Sequence, residues 1–252
     1  MPPSRDTPSR AVRHPTPDPP AEIGVHQGLA FSRWLPPREP AGGVLVLHGA
    51  GSCKESHHDF ARACRTAGYA ALCFDARGHG ASDGELGGGA LADIGAMADL
   101  LGVRPLALRG SSMGGYLALL AAEPLAATAV VAICPAGSEH LRRALRSEDE
   151  GGLGFRADAP ALEDFLAAHD LGEAVEEVRG HLLLLHAHGD ERIPAEHSRE
   201  LHERARAAAE RKLVILPGGH HRTVQHDGEM QGLALRFVSR AFRAGPPRRS
   251  AL

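Results

Sequence analysis

Arg109-Gly110-Ser111-Ser112-Met113-Gly114-Gly115 is the stretch that decides how this chain is read. An apolar run, Pro105 to Leu108, precedes it, and a helical run, Tyr116 to Ala122, follows. Gly110-x-Ser112-x-Gly114 between a strand and a helix has the form of a nucleophile elbow, a sharp turn with serine at its tip. Serine takes a strained backbone conformation there, and the residues two positions to either side must be small for strand and helix to pass closely. The following helix aims its first amides, and the positive end of its dipole, at negative charge forming over Ser112. Ser111 is the neighbouring alternative, but arginine stands two positions before it where the elbow needs glycine.

On both sides of the elbow, apolar strand-type runs alternate with helical periodicity. Ile23 to Gln27 and Leu29 to Leu35 read as an antiparallel entry hairpin. Gly43 to Leu47, Tyr69 to Phe74, Thr128 to Cys134, Leu182 to Leu185 and Leu213 to Leu216 read as buried strands. Helices are expected after His48-Gly49-Ala50-Gly51 (with Ser56 and Asp59 as a variant capping box), around Leu91 to Leu101, from Pro194 to Ala208, and along the Met230, Leu233, Phe237, Ala241 stripe. This rhythm predicts an α/β fold, a mostly parallel, doubly wound sheet with helices on both faces. One domain is expected over 21–243, with a charged, rhythm-breaking insertion at 136–180 that reads as a small lid. The Pro- and Arg-rich ends, 1–20 and 244–252, hold too little apolar surface to offset their ordering entropy and read as disordered tails.

A net charge of −3 gives no electrostatic footprint for nucleic acid and no reason to expect a strongly anionic substrate. The four cysteines, Cys53, Cys64, Cys73 and Cys134, have no framework spacing and read as reduced thiols in a cytoplasmic protein. No apolar run reaches the length of a membrane span, and the N-terminal segment lacks the apolar core of a secretory signal.

A serine hydroxyl attacks a carbonyl near neutral pH only with a base in hydrogen-bond reach and an acid to fix that base. In elbow-bearing folds the partners follow in the order Ser, Asp or Glu, His. Two later strands run into suitable loops, His186-Ala187-His188-Gly189-Asp190-Glu191-Arg192-Ile193-Pro194 and Pro217-Gly218-Gly219-His220-His221.

With His48 to Gly51, Asp75 to Ser82, Gly110 to Gly115, His186 to Pro194 and Gly218 to His221 in this order, the chain resembles the α/β-hydrolase superfamily from about residue 22 to 243. It is most similar to small serine esterases and to serine-aminopeptidase-like, dienelactone-hydrolase-like members. The resemblance implies Ser112 as nucleophile, Asp190 as orienting acid and His221 as general base. The oxyanion hole would be the amides of Met113 and Ala50, helped by Gly51. It further implies a carboxylesterase-type hydrolase of a small ester or thioester, with no cofactor, metal, nucleic acid or membrane partner. The alternatives are an amidase or aminopeptidase-like hydrolase on the same residues, and a non-catalytic binding protein that kept the fold.

Some positions stay open at this level. His220 competes with His221, and Glu191 with Asp190. Asp75 reads as structural, bonding turn amides or pairing with Arg77. His186-x-His188-x-Asp190 formally opens a metal-binding motif, but Glu191 stands where another histidine is needed. His57 and His58 read as solvated helix residues, Cys53 as an idle thiol and Gly87-Gly88-Gly89 as a flexible loop.

Overall fold

The computed structural model describes residues 17–146 and 154–245. The entry hairpin is β1 (Glu22–His26) and β2 (Leu29–Trp34). Six strands follow: β3 (Gly43–Leu47), β4 (Ala70–Phe74), β5 (Leu106–Ser111), β6 (Ala129–Ile133), β7 (His181–Ala187) and β8 (Glu210–Leu216). They form one sheet of order β1-β2-β4-β3-β5-β6-β7-β8, antiparallel only where β2 meets β1 and β4.

The continuous apolar runs follow from burial on both sheet faces. Leu45, Leu72, Leu106 and Leu108 point to one face, under α2 (Ala90–Leu101), α3 (Met113–Ala121) and α7 (Ala195–Arg204). Val44, Ala71, Cys73 and Ala107 point to the other, under α1 (His58–Thr66) and α8 (Gly228–Ala244). The core is therefore two layers sharing one sheet.

Several local expectations are corrected. The chain enters α1 through a 3-10 turn, Lys54–His57, and His57 caps the helix without a side-chain bond. Ser56 and Asp59 form no capping box; Asp59 pairs with Arg62 instead. β8 begins at Glu210, three residues before its apolar run, because Glu210, Arg211 and Lys212 lie on the sheet's edge strand, where polar side chains reach water. α8 continues through Ala244, the first residue of the expected tail. Asp18, in the other expected tail, ion-pairs with Arg65, and its carbonyl accepts from Arg62.

Within 136–180 the described chain forms α4 (Ser138–Arg146), α5 (Ala159–Ala168) and α6 (Leu171–Glu177). Asp158 and Asp170 cap the last two by accepting amides three residues on. Glu163 of α5 holds Arg142 and Arg146 of α4. The acidic run Glu148-Asp149-Glu150 and Gly151-Gly152-Leu153 fall outside the described residues, as do 1–16 and 246–252.

The turn from β5 into α3 leaves no room for side chains at Gly110 and Gly114. A Cβ on Gly110 would sit 1.9 Å from the Gly114 carbonyl oxygen, and one on Gly114 2.3 Å from that of Leu47. Backbone occupies both spaces, so no rotamer change can relieve a side chain there. Gly110→Ala should therefore cost about 3 kcal/mol of unfolding free energy or prevent folding. Denaturant unfolding of the variant checks this.

Candidate active site

Ser112 sits between β5 and α3 at φ 54° and ψ −116°, the strained turn its motif demands. Its amide donates to the Ile133 carbonyl and its carbonyl accepts from Ala136 and Tyr116, so backbone on three sides fixes the residue. The Ser112 hydroxyl lies 2.9 Å from His221 Nε2, and His221 Nδ1 lies 2.7 Å from Asp190 Oδ2. Three residues from three loops, predicted separately, are thus brought into one hydrogen-bonded line.

Asp190 has a fully buried side chain. Burial alone would raise its pKa. Hydrogen bonds from His186, His221 and the amides of Ile193 and Arg192 outweigh that and hold the carboxyl well below the usual range. The residue therefore stays an anion facing the imidazole. The competing positions resolve in space. Glu191 is exposed and accepts the backbone amide of His221, 3.1 Å away, and no bond to an imidazole Nδ1 of His221 forms. His220 is exposed, 3.8 Å from Glu191, with its amide on Thr223.

The metal motif does not assemble. His186 Nδ1 is 2.7 Å from the Ser198 hydroxyl and Nε2 is 3.0 Å from the Ile193 carbonyl, so both nitrogens are engaged. Among the described residues, the one set of three potential ligands within 4.8 Å is Cys134, Asp190 and His221. Two of these are already paired, and burial keeps Cys134 a neutral thiol by pushing its pKa up.

Buried polar contacts that sequence reasoning missed hold the surrounding loops. His48 Nε2 accepts the Ala76 amide at 2.9 Å, which leaves Nδ1–H to donate to the Gly49 carbonyl at 2.8 Å. One imidazole so ties the loop after β3 to the loop after β4. Asp75 is buried and bonds turn amides, one of its two expected roles, while its charged partner is Lys54 and not Arg77. It accepts from the Lys54 ammonium at 2.8 Å and from the Lys54 and Ala81 amides, whereas Arg77 pairs with Asp93. His57 is buried, not solvated, and its Nδ1 accepts from Arg109 at 3.1 Å. The same guanidinium donates to the Gln225 carbonyl and lies 4.1 Å over the Phe60 ring. Arg109 thereby joins β5 to the turn after His221. The signal available for it was a charged residue inside an otherwise apolar strand.

Ser112 and His221 open onto a cavity of about 770 Å³. Ala50, Gly51 and Met113 line it beside Ser112. Met113 is the first residue of α3, where an amide has no intrahelical acceptor. Leu86, Leu117, Leu162, Phe165 and Leu166 supply apolar walls, while Arg143, Glu191, Arg192 and Arg222 supply charge. His79, whose ring stacks on Phe155 at 4.2 Å, supports the wall from behind.

The fold has counterparts among solved structures. The family model described as serine aminopeptidase, S33, matches residues 38–149. Est1E from Butyrivibrio proteoclasticus, solved with ferulic acid, superposes with a TM-score of 0.67 at 20% identity, over 87% of this chain and 100% of that one. The chain has the α/β-hydrolase fold. Alpha/beta hydrolase domain-containing protein 10 from mouse gives 0.69 at 21% identity over 88% and 98% of the two chains. A monoacylglycerol lipase from Paleococcus ferrophilus gives 0.67 at 21% over 86% and 98%. No curated protein matches by sequence. Among the described residues, no helix is long and apolar enough to cross a membrane.

Two predictions follow from the buried network. Asp75→Asn removes the buried counter-charge of the Lys54 ammonium and leaves it only the exposed Glu55 carboxylate, 2.8 Å away, so it should cost about 1–3 kcal/mol, measured by denaturant unfolding. Burial lowers the pKa of His48, lowers that of His57 well below 6.5, and brings His79 to about 4. Each binds a proton more weakly folded than unfolded, so its stabilising share is complete above about pH 6.5 and is lost as pH falls toward 4. Thermal unfolding across that window should show a falling Tm, with a shallower slope in His79→Gln.

Proposed function

We propose that this protein is a serine hydrolase that cleaves a carboxylic ester or thioester of a small molecule. The observation that carries the reading is the hydrogen-bonded line Ser112–His221–Asp190 at the mouth of a largely apolar cavity. The Ser112 hydroxyl donates its proton to His221 Nε2 while its oxygen bonds to the substrate carbonyl carbon. Asp190 stabilises the resulting imidazolium and keeps Nε2 facing the serine. The oxyanion is received by the amides of Met113 and Ala50, with Gly51 beside them, and one such donor is worth about 3–4 kcal/mol in other hydrolases. His221 returns the proton to the leaving oxygen as the carbonyl carbon–oxygen bond breaks. Water then attacks the acyl-enzyme with the same histidine as base, releasing acid and regenerating Ser112. Every step uses side chains and amides of this chain, so the reading needs no metal or cofactor.

The region 136–180 acts as the lid in this reading, since Leu141, Phe155, Phe165 and Leu166 from it line the cavity over the apolar walls of α2 and α3. Four free cysteines, three of them buried, support a cytoplasmic location. The ferulic acid in Est1E supports an acyl ligand of that size.

The match to the serine aminopeptidase model favours a second reading, a peptidase. An aminopeptidase must bind a free ammonium, and the cavity offers it poor chemistry. Three arginines line it against one carboxylate, Glu191, which already accepts the His221 amide. An ester hydrolase is the better fit.

Fluorophosphonate labelling with peptide mapping tests the reading. Wild type should carry one adduct, on Ser112. Ser112→Ala should lose the adduct and about 10⁴-fold or more of kcat/KM toward an aryl ester with its Tm little changed. An adduct on another residue, or activity retained in a folded Ser112→Ala protein, would overturn it.

A further inference from the structure

The charge around the cavity is unevenly placed. Its apolar walls come from α2, α3 and α5, through Ala90, Leu117, Leu162, Phe165 and Leu166. Arg192 lies two residues beyond Asp190, and Arg222 directly follows His221. Both are exposed at the cavity, on the loops that carry the acid and the base. Arg143 of α4 adds a third guanidinium to the lining. Among the described residues, Arg222 and Arg143 make no ion pair, and Arg192 meets only Glu191, at 4.0 Å. Glu191 is the single carboxylate in the lining, with one oxygen taken by the His221 amide.

We infer that the substrate carries an apolar acyl group and an anionic leaving group, a carboxylate or phosphate on the alcohol or thiol side. This rests on the serine-hydrolase reading and makes it more specific. The proton that His221 takes from Ser112 goes to the leaving oxygen or sulfur, so the leaving group must lie against His221 and its chain neighbours. Those neighbours include Arg222 and, through Asp190, Arg192. Guanidinium groups form forked, charge-assisted bonds with carboxylate and phosphate. The acyl group then takes the apolar walls beyond Ser112. The chain's net charge of −3 conceals this arrangement, because it sums over all the acids while the cavity lining holds one carboxylate, Glu191. A positive mouth on a slightly negative protein selects anions locally and speeds their approach.

The test compares two esters with one acyl chain, 4-(hexanoyloxy)benzoate and its neutral methyl ester, each rate corrected by its own hydroxide-catalysed hydrolysis. At low ionic strength the anion should be favoured about tenfold or more in kcat/KM. That ratio should shrink toward one in 0.5 M NaCl and in the Arg192→Gln, Arg222→Gln double variant. A ratio near one at low salt, or a ratio the double variant leaves intact, would overturn the inference while the serine-hydrolase reading stood. Failure of wild type to cleave either ester, with no fluorophosphonate adduct on Ser112, would remove the underlying reading and this one with it.

Discussion

The site depends on one backbone constraint, the positive φ that Ser112 adopts between β5 and α3. An L-residue in that conformation is unfavourable by about 1–3 kcal/mol and persists only where its surroundings over-determine it. Here they do. The serine amide is held by β6, its carbonyl by α3 and by the chain entering the 136–180 region, and both flanking glycines touch backbone. Strain at this residue lifts the hydroxyl out of the strand's plane toward His221. It also puts the start of α3, with its unpaired amides, beside the carbonyl the serine would attack. A relaxed turn would do neither.

The loops that meet Ser112 are long and come from distant parts of the chain, so something must hold them in register. Buried polar groups do this, each tying two or three segments. His48 joins the loops after β3 and β4, Lys54 and Asp75 join the same loops one turn further out, and Arg109 joins β5 to the 3-10 turn and to the turn after His221. Arg109 has no carboxylate partner among the described residues, and burial brings its pKa down to about 10. It remains charged at neutral pH, distributed over a carbonyl, an imidazole and an aromatic face. Apolar residues would fill the same volume, but none could fix the Gln225 carbonyl at one position. Directional bonds in a low-dielectric interior suit a task where angle matters more than burial.

The sheet and the elbow at Ser112 were legible because their signals are local, whereas Asp190 and His221 stood out from their neighbours only through the resemblance. A buried strand is a short apolar run, and an elbow is a spacing of small residues around serine. The misread features depend on partners far away in sequence. Nothing around Asp75 distinguishes Lys54, twenty-one residues earlier, from Arg77, two residues later, until the two loops are folded together. His57 reads as a surface residue because its neighbours Glu55, Ser56 and His58 are polar; only the 3-10 turn rotates it inward beneath Arg109. β8 was cut short because an edge strand hides its hydrogen bonding behind charged side chains.

Net charge is blind to placement in the same way. Composition averages over a surface, whereas a substrate meets only the few groups at the mouth of one cavity. Glu191 shows how such a mouth can be strongly polar in one sense while the chain is mildly polar in the other. Its carboxylate is drawn to the His221 amide, where it braces the loop after β8, and so is partly withdrawn from the arginines beside it. The residue that best resembled a rival catalytic acid in the sequence thus contributes by holding the histidine's backbone. The guanidinium groups of Arg192 and Arg222 are left facing the space a leaving group would occupy.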